Sequence, residues 1–154
     1  MTKALRLVFF SLILVLAVAT PAASQITYTT KLTSGPFLVA PSAASVDWAV
    51  VNNGTAPADL RVTVYKLDLL GEKVAVAPGA VVLSLAPGRT SHNANSVGSV
   101  FLVGFYYEVV VESTADDVHP NVNQWADSSG SFIPGTLIPA GSFVNIKMPK
   151  PPKP

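Results

Sequence analysis

Hydrophobic and polar residues alternate with period two in several stretches of the chain. The longest such stretch is residues 100–112. Phe101, Val103, Phe105, Tyr107, Val109 and Val111 fall on one face, and Leu102, Gly104, Tyr106, Glu108, Val110 and Glu112 on the other. Successive side chains of a strand point to opposite sides, so this pattern predicts a long strand with its odd-numbered face in a core. Its β-branched and aromatic residues suit a pleated surface. A second alternation runs through Ser45–Asn52, with Val46, Trp48 and Val50 opposed to Asp47, Ala49 and Val51. A third sets Leu60, Val62 and Val64 against Arg61, Thr63 and Tyr65. Asn52, Asn53, Gly54 and Thr55 lie between these two, and Asn-Gly is a strong hairpin signal, so residues 45–67 are expected to form a hairpin.

Shorter apolar runs fill the remainder. Ile26, Tyr28 and Thr30 alternate with Thr27, Thr29 and Lys31, which predicts an edge strand over 26–31. Val76-Ala-Pro-Gly79 and Leu85-Ala-Pro-Gly88 read as type II turns bracketing a strand at 80–85, because proline presets the first central position and glycine accepts the second. Ile133-Pro-Gly-Thr136 and Ile138-Pro-Ala-Gly141 add turns near the end. Residues 90–99 and 113–121 are polar and read as loops, and 122–125 as a short strand. About eight short strands at turn spacings of roughly 8–12 residues predict an all-β, two-sheet antiparallel sandwich.

The first 24 residues differ from all this. Lys3 and Arg6 precede an apolar run from Leu7 to Ala19, followed by small residues up to Ser24. That is the pattern of a secretory signal peptide, and the run falls short of the ~18–20 residues needed to span a bilayer. The expected organisation is a signal peptide at 1–24, one sandwich domain at 25–146 and a Pro/Lys-rich disordered tail at 147–154. The expected location is extracellular, with no lasting membrane insertion. Residues 25–146 carry five basic and nine acidic side chains, which argues against nucleic acid as a partner. There is no cysteine, so disulfides, thiolate metal sites and cysteine nucleophiles are excluded.

Ser45-Val-Asp-Trp-Ala-Val-Val-Asn-Asn-Gly54, Ala58-Asp-Leu-Arg-Val-Thr-Val-Tyr65, Val82–Leu85 and Ala86-Pro-Gly-Arg-Thr90 together resemble immunoglobulin-like modules of the bacterial CARDB-like type. Those modules run a strand ending in Asn-x-Gly, a return strand and a later Leu-x-Pro-Gly turn. The chain is also similar to small secreted bacterial proteins of unknown function. The resemblance implies an immunoglobulin-like sandwich and a non-catalytic role, and it brings no binding residues with it.

Candidate chemistry gathers in the polar segments. Asn93, Asn95, Asn121, Asn123 and Trp125 combine amides with an aromatic ring, the mixture that binds sugars by stacking and hydrogen bonding. Asparagines also serve turns, and Trp125 also reads as core. Asp116, Asp117, His119 and Asp127 offer oxygen and nitrogen ligands, but no Asp-x-Asp-x-Asp-Gly loop is present. An enzyme would use His92 or His119 with Asp116 or Asp117, yet there is no Gly-x-Ser-x-Gly elbow and no His-Glu-x-x-His. A continuous strand over 100–112 would hold the segments on either side ~40 Å apart, which separates His92 from His119. Asn53-Gly-Thr55 is a glycosylation acceptor by sequence. The expectation is a non-enzymatic binding module without cofactor or metal, its partner a protein or a surface glycan, or else a structural coat or matrix component. Strand 26–31 is the expected edge for self-association.

Overall fold

The computed structural model describes residues 25–68, 70–126 and 131–148. The expected signal peptide at 1–24, Asp127 and the tail from 149 onward lie outside the described residues. The described chain forms β1 (Thr30–Thr33), β2 (Phe37–Leu38), β3 (Ser45–Asn52), β4 (Ala58–Leu67), β5 (Lys73–Ala75), β6 (Val81–Leu85), β7 (Thr90–Ser96), β8 (Tyr106–Ser113), β9 (Val118–Trp125) and β10 (Val144–Asn145). These make two antiparallel sheets. The larger runs β10-β1-β8-β4-β5, with β2 also on β8 and β6 also on β4; the smaller runs β7-β3-β9. The all-β sandwich expected from the alternation is the architecture found.

The core is the interleaving of the two inner faces. Val46, Trp48 and Val50 of β3 and Val122 of β9 meet Leu60, Val62 and Val64 of β4 and Tyr107, Val109 and Val111 of β8. Phe37, Phe101 and Tyr107 close one end as a tilted aromatic trio, with Phe101 and Tyr107 centroids 4.8 Å apart. The Tyr107 hydroxyl accepts the Leu102 N–H at 2.8 Å, and burial raises its pKa above the ordinary value. Gln124 faces inward too: its Nε2 donates to Leu38 O at 2.9 Å and its Oε1 accepts Ala40 N–H at 2.8 Å, tying the β2 segment to β9.

Four expectations need correction. The strand expected over 100–112 begins only at Tyr106. Gly104 adopts a φ of +82°, and glycine in the left-handed region turns the chain where the alternation alone continues. Phe101 is therefore buried, while Val103 is 43% and Phe105 40% exposed. From Glu108 onward the even face is covered as well, with Glu108 only 4% and Glu112 8% exposed. Glu108 accepts the Thr33 hydroxyl and pairs with the Lys73 ammonium, and Glu112 pairs with Arg61 Nε at 2.5 Å. The Arg61 guanidinium lies over the Tyr28 ring.

Residues 45–67 form no hairpin. β3 and β4 lie in different sheets, and the Asn52–Pro57 segment crosses between them. Gly54 has no positive φ, so the Asn-Gly pair is not a type I′ turn. An apolar face on each strand is satisfied equally by a hairpin and by an arch that places the strands across the core. Asn52 decides for the arch. It is fully buried and its Nδ2 donates to Leu85 O at 2.8 Å and to Ala56 O at 2.9 Å, while its Oδ1 accepts Gly54 N–H at 2.9 Å. Asn53 beside it is exposed.

Residues 26–31 are not an edge strand. β1 starts at Thr30 and lies between β8 and β10, with Ile146 N–H donating to Lys31 O. The two Pro-Gly steps also differ. Ala86–Arg89 is the expected turn, with Arg89 N–H on Ala86 O and Gly88 at φ +67°, whereas the chain at Val76–Gly79 turns through a cis Ala77–Pro78 bond.

Candidate functional site

The segment 90–99, read as a loop, is largely β7. It pairs along its length with β3, whose other edge carries β9. β9 in turn begins at Val118, inside the second segment read as a loop. Pro120 disguises this strand in the sequence. Val122 exchanges hydrogen bonds with Ile138 on the side away from β3, so the main-chain groups of Pro120, two residues earlier, also point away from β3. Its missing N–H therefore costs no bond to β3.

Reading the three strands in register builds the outer face of the small sheet. Ser96, Ser45 and Trp125 form one row across it, followed by Ala94, Asp47 and Asn123, then His92, Ala49 and Asn121, then Thr90, Val51 and His119. Phe132 pairs with Trp125 beyond β9, and the two rings meet edge to face at 5.9 Å. Trp125, Asn123 and Asn121 thus stand in file on β9. Small residues (Ser45, Ala49, Ala94 and Ser96) occupy much of the ground beside them. The face thus carries an aromatic pair at one end and amides along β9, with small side chains beside them.

The five residues expected to bind divide. Asn121, Asn123 and Trp125 come together on this face. Asn93 and Asn95 point to the opposite side of the same sheet, where they line a small interior cleft with Trp48, Val76 and Val100. Strand alternation is the reason: odd-numbered positions face inward on β7 and outward on β9. Asn123 Nδ2 donates to Asn121 Oδ1 at 3.2 Å. Among the described residues this leaves the Asn121 Nδ2 amide group as a donor and Asn123 Oδ1 as an acceptor for a ligand.

His92 and His119 occupy neighbouring rows of this one face. Two strand spacings across and two residues along put their Cα atoms roughly 12 Å apart, not ~40 Å, because the chain returns through two strands that share β3. Each histidine has its own carboxylate. His119 Nε2 lies 2.7 Å from Asp117 Oδ1, and His92 Nδ1 lies 3.8 Å from Asp47 Oδ1. Asp116 turns away and accepts the Thr30 hydroxyl. Among the described residues no three His, Asp or Glu side chains converge to hold a metal ion.

Asp47 was not among the expected site residues, although the alternation of β3 already placed it opposite Trp48. Its side chain is only 16% exposed, and its Oδ1 is buried without a hydrogen-bond partner among the described residues. Desolvation raises its pKa above the ordinary value, and His92 and the Asn93 backbone oppose this less strongly. A raised folded-state pKa contributes stability that is complete below the unfolded value, about 3.9, and is lost as pH rises through the folded value. Asp47→Asn removes that loss. The variant is expected to melt above the parent at pH 7 and together with it at pH 3. Thermal melts at the two pH values check this, and an equal shift at both would contradict it.

Among the described residues no helix is long and apolar enough to cross a membrane. No protein-family model matches the chain, and no curated protein matches it. Among solved structures, it is similar to the crystal structure of Thermotoga maritima 1070 at 11% identity and a TM-score of 0.47, over 79% of this chain and 94% of that one. It is also similar to the Anabaena sensory rhodopsin transducer at 20% identity and a TM-score of 0.39, over 66% of this chain and 84% of that one.

Proposed function

We propose that this protein is an exported, non-catalytic module of immunoglobulin-like type that binds a surface glycan on the outer face of its three-stranded sheet. The observation that supports this is the file of Trp125, Asn123 and Asn121, with Phe132 beside the indole and small residues in front. An aromatic ring offers a stacking surface to the apolar face of a sugar. The amide donor and acceptor suit vicinal hydroxyls, and Asp47 and His92 supply further polar groups on the same face. The signal-peptide pattern of the sequence supports export.

The protein, produced from its full coding sequence, is to be screened on a glycan array and the best ligand followed by calorimetry. Trp125→Ala is expected to weaken binding by about tenfold or more, as loss of an aromatic anchor does. Asn121→Ala and Asn123→Ala are expected to weaken it less. Absence of any glycan ligand, or a Trp125→Ala affinity equal to the parent's, would overturn the proposal. Cleavage of the bound glycan that disappears in the His92→Ala, His119→Ala double variant would replace it with an enzyme.

A further inference from the structure

The edges of the small sheet are treated unequally. Beyond β9 the chain returns and closes the edge through Phe132 on Trp125 and Ile138 on Val122. β7, on the other side, has no neighbouring strand among the described residues. Asn52 N–H donates to Arg89 O and Val97 N–H to Ala44 O at the two ends of its ladder. Antiparallel pairing alternates, so the main-chain groups of Ser91, Asn93 and Asn95 face β3, and those of Thr90, His92, Ala94 and Ser96 face outward. Among the described residues only Ser96 O has a partner on that side, from Ser99.

A free edge of seven residues is long for a natural protein. The usual guards are proline, lysine or other charges, a bulge or a very short strand, and Thr90–Ser96 has none of them, its one titratable side chain being His92. The edge strands of the large sheet are shorter than β7, with two residues in β2 and β10, three in β5 and five in β6.

We infer that β7 pairs antiparallel with β7 of a second copy of this chain, about a two-fold axis through Asn93. The sequence of the strand is what selects a second copy. With the axis at Asn93, His92 stands opposite Ala94, Thr90 opposite Ser96, Ser91 opposite Asn95, and Asn93 opposite its own copy. The largest outer side chain meets the smallest, no like charges meet directly, and every outward main-chain residue finds an outward partner. His92 and Ala94 exchange both hydrogen bonds at two symmetry-related places. The two small sheets become one six-stranded sheet. The two β9 strands then lie on one continuous face about 24 Å apart, five strand spacings, whatever that face binds.

Asn93 with its copy is a non-hydrogen-bonded pair, whose Cα atoms lie about 4.5 Å apart, within disulfide range. The chain has no cysteine, so Asn93→Cys introduces the only thiol. Under mild oxidation this variant is expected to form a covalent dimer in high yield, and Ser91→Cys, which would face Asn95, only a small fraction of that. By sedimentation equilibrium the unmodified protein is expected to be a concentration-dependent dimer. Ala94→Pro, which removes an N–H that β3 does not use, is expected to raise the dissociation constant at least tenfold with the far-UV spectrum unchanged. A monomer at every concentration would overturn the inference, and so would cross-linking of Asn93→Cys no faster than of Ser91→Cys. If Ala94→Pro fails to fold, the two cysteine variants decide alone.

Discussion

Phe101→Ala is expected to lower the unfolding free energy by about 3–5 kcal/mol, and Phe105→Ala by about 1 kcal/mol or less. Phe101 has no exposed surface and packs against Tyr107 and Phe37. Removing its ring opens a cavity between two aromatics whose own positions are fixed by β2 and β8. Relaxation into it is limited, because Tyr107 is held by the Leu102 N–H. Phe105 has the same place in the alternation, but it follows Gly104, is 40% exposed and serves chiefly as a platform 3.6 Å below the Lys66 ammonium. Urea denaturation measures both effects. A stability of roughly 5–15 kcal/mol is usual for a domain, so the first change takes a large share of it. Equal losses for the two variants would mean that the strand continues through Gly104 after all.

Asn52→Leu is expected to cost about 2–4 kcal/mol even though it exchanges an amide for an apolar group in a buried position. The side chain carries the arch between the sheets. Its Nδ2 satisfies the buried carbonyl of Leu85 at the end of β6 and that of Ala56 in the crossing itself, and its Oδ1 takes the Gly54 N–H. Leucine removes all three bonds at once, two donated by Nδ2 and one accepted by Oδ1, at about 1 kcal/mol each. Asn52→Asp keeps the acceptor for Gly54 but turns an oxygen toward two carbonyls, and is expected to be at least as damaging at neutral pH. Chemical denaturation of the three proteins checks the order. A neutral Asn52→Leu would show that water replaces these bonds.

The candidate site was legible in part. The amides and the tryptophan of β9 were visible as a residue mixture, and their common face follows from a period-two reading begun at Val118. Pro120 interrupts that reading, since it is a weak strand former unless its nitrogen points away from the neighbouring strand. Asp47 and His92 were visible only as members of separate segments. Nothing local brings them beside Asn121 and Asn123. The split of Asn93 and Asn95 from the others was hidden for the same reason: residue type says nothing of which side of a sheet a position faces.

Local patterning determined that the described residues are almost all strand and turn, that Ser45–Asn52 and the alternation from Leu60 bury Val46, Trp48, Leu60 and Val62, and that glycine follows proline where Ala86–Arg89 and Ile133–Thr136 turn. These features depend on neighbours a few residues away, through side-chain alternation and backbone sterics. Tertiary structure alone decided the partners. The small sheet takes strands from three separated parts of the chain, with none of its pairs consecutive. Pairing uses main-chain groups that are the same at every residue. Which strands meet, and in which register, was therefore set by the one arrangement that buries Trp48, Phe101 and Tyr107 in a common core. β7 contributes no alternation of its own to that choice; it is a strand because β3 offers it an edge.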